Sequence, residues 1–320
     1  MLTAARPPEG ADGAGSEWTA APDPELIESG YRPPGLLRRL SDVVQHRQLL
    51  WNLTRREVKV RHKNSLLGFA WNLMNPLLYL VIFSLVFTFI LPSGSIPRYA
   101  LNLLAGLLVY DLFAAGVTGA TSSVVANSHL VQKIWFPREV LPVAAVAANL
   151  VPFLSRLVIL GIGLALFRQS PEWSMIWLLI PALAITLVMA VGLGLLLAAA
   201  NVFFRDVQHF LELALLALFW FTPIVYVYDF AGNAIRDRLG VGAERLAMLN
   251  PLTPLTTTFQ RVLYNPTNFG PEQQESFTLL LRPSTWYLQN LAISAVTALV
   301  LLFLGLRVFA RLEGSFAERL

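Results

Sequence analysis

Apolar residues along this chain fall into long runs broken by short polar joints. A helix needs roughly 20 apolar residues to cross a hydrocarbon layer. Six blocks meet that length: Leu66–Leu91, Tyr99–Val125, Val140–Phe167, Met175–Ala200, Phe210–Tyr228 and Trp286–Phe309. Blocks three and four are separated only by Arg168–Ser174, which contains Pro171, so they read as a helical hairpin. Blocks four and five are joined by Asn201–Asp206, also too short to be a domain. Ahead of the first block lies a different pattern. At a helical pitch of about 100° per residue, Leu49, Leu53 and Val60 fall within about 40° of each other, while Arg55, Lys59 and Lys63 cluster on another side. Arg56 sits beside the apolar face. The pattern predicts an amphipathic helix over 36–64 leading into a membrane domain over 65–312, with a short segment 313–320 after it.

Composition agrees with that reading. Hydrophobic residues make up 55% of the 320, charged residues 14%, and the mean hydropathy is +0.57. These values place the chain among polytopic, all-helical membrane proteins. Residues 1–35 differ: they are rich in Pro, Gly and Ala, with six acids from Glu9 to Glu28 against Arg6. Such a segment buries too little apolar surface to offset its ordering entropy, and it reads as a disordered acidic tail. It has no basic stretch followed by an apolar core, so it does not read as a signal peptide.

Charge sets the orientation. Nine Lys and Arg residues lie between Arg32 and Lys63, just ahead of block one, including Arg55, Arg56, Lys59, Arg61 and Lys63, and the next loop carries only Arg98. Lys133 and Arg138 follow block two, and Arg311 and Arg319 follow block six. Lys and Arg concentrate on the cytoplasmic side of spans. An even number of spans therefore predicts both termini in the cytosol and residues 229–285 outside. Within that segment Leu249–Asn265 is too polar to cross lipid, and its Asn-Pro and Thr-Pro steps bias the preceding residues away from helix. It reads as a re-entrant or interfacial helical hairpin, or as an ordinary extracytoplasmic loop.

Several stretches could carry chemistry. The basic lead-in could lie in the interface with its charges toward anionic headgroups, or could serve topology alone. The loop at 126–139 places Leu130, Ile134, Trp135 and Phe136 on the water side, as a partner's docking surface or as an aromatic belt. Arg156 lies about midway along block three, where a guanidinium costs at least roughly 2.5 kcal/mol without a partner or water. It reads either as a path-lining cation or as a snorkelling or inter-helix Arg. The acids in the other blocks, Asp111 and Glu212, read as lying near span ends. Tyr79, Phe83 and Phe87 form one stripe of block one, and Phe219, Trp220 and Tyr226 stand near the end of block five. Aromatic faces suit the C–H faces of sugars, but such stripes also serve packing.

The chain has no cysteine, which excludes thiolate metal sites and disulfides. None of its lysines (Lys59, Lys63, Lys133) follows a glycine, so it has no phosphate-binding G-x-x-x-x-G-K-[ST] loop. His46, His62, His129 and His209 show no paired ligand spacing. No catalytic, cofactor or metal site is expected, and any energy source must come from another chain.

Five stretches carry a resemblance: Arg55–Leu78 (RREVKVRHKNSLLGFAWNLMNPLL), Leu130–Pro142 (LVQKIWFPREVLP), Asn201–Val207 (NVFFRDV), Thr222–Tyr226 (TPIVY) and Leu249–Leu255 (LNPLTPL). In this order and spacing they resemble the permease subunits of type-2 ABC exporters that move polysaccharides such as O-antigen, teichoic acid, capsule and mycobacterial galactan. The resemblance covers roughly residues 45–318. It implies six helices per subunit in a homodimer, one ATPase beneath each subunit, with ATP and magnesium held by the ATPases. It implies a plasma (inner) membrane address and a lipid-linked polysaccharide as cargo, with no nucleic-acid partner. It makes 45–63 the interface helix. The coupling helix would carry His129, Leu130, Lys133, Ile134, Trp135 and Phe136, and the outer gate helices Asn250, Pro251, Pro254 and Arg261. Blocks one and five would line the channel. The acidic tail is longer than the family leads one to expect, and Arg156 is not a family motif position. The alternatives are an ATP-independent flippase or channel, and a membrane enzyme acting on lipid-linked sugars.

Overall fold

The computed structural model describes residues 36–62, 70–86, 97–134, 136–226, 248–270, 274 and 280–320. The tail 1–35, Lys63, Phe87, Trp135 and, within the 229–285 segment, residues 229–247, 271–273 and 275–279 lie outside the described residues, as do the side chains of Arg61 and Phe83. Among the described residues all regular structure is helical. In chain order the helices are α1 (Leu36–Gln45), α2 (Arg47–His62), α3 (Trp71–Leu85), α4 (Tyr99–Ala126), α5 (Ser128–Lys133), α6 (Val140–Ala148), α7 (Leu150–Leu166), α8 (Leu179–Phe203), α9 (Val207–Phe221), α10 (Leu252–Phe259) and α11 (Ser284–Leu312). A short helical turn, Phe316–Arg319, ends the chain.

Among the described residues four helical segments are long and apolar enough to cross a membrane: Tyr99–Ala126, Val140–Leu166, Trp173–Phe203 and Ser284–Arg319. Of the first block the described residues include α3, and the fifth block appears as a shorter helix, α9, of 15 residues. The fifth block was drawn to Tyr228, but α9 ends at Phe221. Thr222 adopts an extended conformation ahead of Pro223, as the ring of a following proline requires. The third block is one span in two pieces. Pro152 has no N–H to offer Ala148, and the helix breaks at Asn149, whose Nδ2 donates to the Ala145 carbonyl at 2.8 Å. The lead-in region 36–64 holds two helices that meet at His46, and the stretch 45–63 expected as the interface helix is occupied by one of them, α2.

α4 is the central element, with every residue from Tyr99 to Tyr110 buried. It is apolar all round, as a helix must be when surrounded. α8 packs on α4 and also along α11. Lipid offers no hydrophobic drive for two apolar helices to associate, so close approach of small residues has to supply the contact. Gly192 and Gly305 meet at the α8–α11 crossing, and Gly194 meets Ala120 of α4.

Side-chain contacts order the two ends of the bundle. At the basal end α1, the α5–α6 joint and the chain's C-terminal end meet through Arg39, Glu139 and Glu313. At the distal end the start of α4, the α7–α8 connector and the segment after α10 meet through Arg98, Gln169 and Tyr264. α4 and α8 therefore run from the distal to the basal end, α6–α7 runs the opposite way, and α11, which ends at the basal Glu313, lies parallel to α8.

Candidate functional site

The basal end presents a platform. Asn127 stops α4 and starts α5: its backbone carbonyl accepts from Leu130 N at 2.9 Å, and its Nδ2 donates to Ser123 O at 2.8 Å. The side-chain oxygen left over accepts from Arg56 Nη1 of α2 at 2.9 Å. One buried asparagine thus joins the lead-in helix to the six-residue α5. α5 is held from inside by Val131, which joins Val43, Leu53, Val140, Phe309 and others in a basal core. His129, Lys133 and Ile134 point outward, Ile134 being 58% exposed. Leu130 and Phe136 are half-buried against the basal core. The lead-in helix α2 buries Leu53 and half-buries Leu49, while Val60 of the same stripe is exposed. Arg55, Arg56 and Lys59 are exposed, as the amphipathic pattern predicts.

Beneath this platform is a cluster that sequence reasoning missed. Arg39 Nη1 donates to Glu139 Oε1, and its Nη2 donates to Glu313 Oε1 at 2.5 Å. Arg39 and Glu139 are each 3% exposed. Burial opposes the Arg39 charge, and the hydrogen bond and charge of Glu313, followed by those of Glu139, more than offset it and hold the guanidinium above its ordinary pKa. Burial pushes the Glu139 carboxyl up, the nearby Glu313 charge adds to this, and Arg39 pulls against both. Arg138 donates to the Glu313 carbonyl and stands over the Phe316 ring, and Phe316 is fully buried against Phe309. Residues 313–320 are therefore packed structure. The partners lie 100 and 274 positions from Arg39, so no local pattern could pair them.

The distal end is built around Leu249–Asn265. All of α10 and the π-helical turn Gln260–Tyr264 are buried, so this segment re-enters the bundle instead of lying on it as a loop. Asn250 Oδ1 accepts from Leu252 N at 3.0 Å, and its Nδ2 donates to Thr222 Oγ1 at 2.9 Å, which seats the start of α10 against the end of α9. The Pro251 carbonyl accepts from Ser294 Oγ of α11 at 2.8 Å, and Pro254 is buried. Arg261, 5% exposed, donates to Asn265 Oδ1 at 3.0 Å and stands 3.5 Å from Glu172 Oε2. Glu172 is held below the ordinary carboxylate range, first by the Ser174 hydroxyl and then by Arg261. The three non-glycine residues with positive φ among those described, Arg98, Arg168 and Asn265, all flank this junction.

Gln169 is the junction's bridge. It is 3% exposed, accepts from Arg98 Nη1 at 2.9 Å and donates Nε2 to the Tyr264 carbonyl. Gln169→Leu leaves that buried carbonyl without this partner, which costs about 1–3 kcal/mol, while the exposed Arg98 can turn to water. We expect the variant's distal segment to be cut faster than wild type by limited proteolysis at Arg261 or Tyr264, with basal cleavage unchanged.

The aromatic candidates divide. Phe219 packs edge-on against Tyr110 of α4 at 5.4 Å and against Trp220 at 5.5 Å. Trp220 is 59% exposed, and Tyr226 lies beyond the helix end with its hydroxyl donating to the Trp220 carbonyl at 3.0 Å. Tyr79 is exposed on α3. Arg156 finds a partner in Asp111, 3.4 Å away across α4 and α7. Asp111 was assigned to a span end; it lies close to the middle of the 28-residue α4.

Sequence comparison gives this arrangement its context. The chain is 34% identical over 231 residues to the O-antigen export system permease protein RfbA of Myxococcus xanthus, covering 72% of this chain and 85% of that protein. It is 28% identical over 271 residues to a protein of the same name from Klebsiella pneumoniae, covering 84% of this chain and 94% of that protein. Residues 48–264, from the lead-in helix to the end of the buried distal turn, match the ABC-2 type transporter family, and the chain belongs to that family.

Proposed function

We propose that this chain is the membrane permease subunit of an ATP-driven exporter that moves a lipid-linked polysaccharide, of O-antigen, teichoic acid or galactan type, across the plasma (inner) membrane. It works as a homodimer of six-span subunits with both termini in the cytosol, and two ATPase subunits dock on its basal platform. Each ATPase brings the ATP and magnesium; the permease itself does no covalent chemistry. The names of the Myxococcus and Klebsiella relatives support the O-antigen class of cargo.

The observation that carries this reading is α5. A six-residue helix anchored by Val131 and tied to α2 through Asn127 and Arg56, with Lys133 and Ile134 outside, is built to receive a push and pass it on. Closure of the ATPase pair displaces α5 and α2 together, which biases the bundle between two arrangements. The buried distal segment 249–265, with Asn250, Pro251, Pro254 and Arg261, forms the outer gate that answers this displacement.

The test uses Ile134, because Phe136 packs into the basal core and its replacement would unsettle the fold. Ile134→Asp places a charge in the docking contact without touching the core. In proteoliposomes containing the whole complex, it is expected to cut glycan export at least about tenfold while ATP hydrolysis continues, the loss matching about 1.4 kcal/mol or more of coupling. Export at the wild-type rate would remove α5 from the coupling role.

A further inference from the structure

Arg156 occupies an unusual position. It lies on α7 inside a membrane-spanning segment, 21% exposed, and its contact among the described residues is a loose ion pair with Asp111, itself 27% exposed. At 3.4 Å the two atoms are beyond the usual span of an N–H···O bond. A guanidinium carries several N–H donors and no acceptor, and those donors need oxygen partners. Hydrocarbon supplies none, which makes a lipid-facing position costly.

The surface beside the pair is polar and small. One turn of helix separates Asp111 from Ala115, and Thr118 and Ser122 follow on the same face of α4, within about 60° at helical pitch. Ala115 and Thr118 are exposed and Ser122 is partly so. This stripe has the α6–α7 break on one flank, where Asn149 Nδ2 donates to the Ala115 carbonyl at 3.2 Å. It has α9 on the other, where Tyr110 packs on Phe219 and donates to the Leu215 carbonyl. The stripe thus continues a face of α4 that has α7 and α9 as neighbours near its Asp111 end. A second copy packed onto it would bury an ion pair that makes no close hydrogen bond among the described residues, and desolvation without new partners is unfavourable.

We infer that the Asp111–Ala115–Thr118–Ser122 stripe with Arg156 is a water-lined wall of the transport path, and that the Arg156–Asp111 pair offers a donor and an acceptor to the hydroxyl groups of a passing glycan. The glycan part rests on the proposed export function; the wet wall does not. A hydroxyl both donates and accepts, so a guanidinium beside a carboxylate meets both needs at once.

The chain has no cysteine, so each introduced thiol is the sole target for a thiol reagent. Ala115→Cys, Thr118→Cys and Ser122→Cys would be labelled with a charged, membrane-impermeant methanethiosulfonate in proteoliposomes, alongside Val296→Cys on an exposed apolar face of α11. The expected result is labelling at least about tenfold faster at the stripe positions than at Val296→Cys. Equal slow labelling, or disulfide formation between copies at Thr118→Cys, would overturn the wet wall. This arm needs neither ATP nor cargo, so it stands or falls independently of export. In the full complex, ATP with the lipid-linked glycan is expected to slow labelling of Ala115→Cys severalfold, and Arg156→Gln to abolish the slowing. Labelling unchanged by transport would show a wet surface off the path and overturn the assignment to glycan.

Discussion

Gly192→Leu is expected to destroy the folded bundle. A side chain starting at Gly192 would meet the backbone of the facing helix: the Leu301 carbonyl carbon and the Leu302 Cα each lie 2.7 Å from the position of the first added carbon, and Leu302 N lies closer still. Backbone cannot rotate away as a flexible side chain could, so α8 and α11 must separate along the crossing. Gly305 stands on the other side of the same contact, where an added carbon would strike the Gly192 carbonyl oxygen. Overpacking in a tight core typically costs about 1–3 kcal/mol, and a clash against backbone belongs at or above the top of that range. Separation also forfeits the dispersion contacts that take the place of a hydrophobic drive between spans. Gly192→Ala is expected to lower the melting temperature in mild detergent, and Gly192→Leu to leave no monodisperse peak on fluorescence-detected size exclusion. Gly161→Ala is the control, because nothing lies within 4 Å of its added carbon. A Gly192→Leu protein that elutes and melts like wild type would show that the crossing does not hold the bundle together.

How much of this was legible before the structure depends on the range of the interaction concerned. The spans showed in the sequence because each needs its own run of apolar residues, and a run is a local property. Their ends were less legible: α9 stops at Phe221, ahead of Pro223, although apolar and aromatic residues continue to Tyr228. The polar makeup of Leu249–Asn265 excluded a simple span. Its burial could not be read from sequence, because the groups that satisfy it, such as Ser294 for the Pro251 carbonyl and Gln169 for the Tyr264 carbonyl, come from distant parts of the chain. Arg156 was flagged as needing a partner, and Asp111 was visible as an acid; that they face one another is a matter of helix packing. Arg39 carried no signal at all. It looked like one of the nine basic residues between Arg32 and Lys63.

Arg39→Met is expected to loosen the basal end more than any other change to a charged residue. It removes the cation and leaves Glu139, 3% exposed, with Glu313 beside it. Breaking a buried ion pair from one side typically costs about 3–5 kcal/mol, because the remaining charge keeps its desolvation cost and loses its partner. Arg39→Lys is a poor substitute, since a single ammonium lacks the fork by which separate guanidinium nitrogens reach Glu139 and Glu313. The pH dependence has a definite sign. Burial raises the Glu139 pKa above its ordinary 4.5, and the Glu313 charge raises it further. A carboxyl that holds its proton more tightly when folded contributes stability at low pH, and that contribution fades as pH rises from the unfolded value through the folded one. Without Arg39 the folded pKa moves higher still, so the deficit of Arg39→Met is expected to shrink as pH falls from 8 toward 5. Arg39→Met combined with Glu139→Gln is expected to recover part of the loss, because the surviving amide carries no charge to desolvate. Thermal melts of wild type, Arg39→Met, Glu139→Gln and the double variant across that pH range complete the cycle. A deficit that is independent of pH, or a double variant no better than the single one, would mean that Arg39 holds the basal end by packing alone.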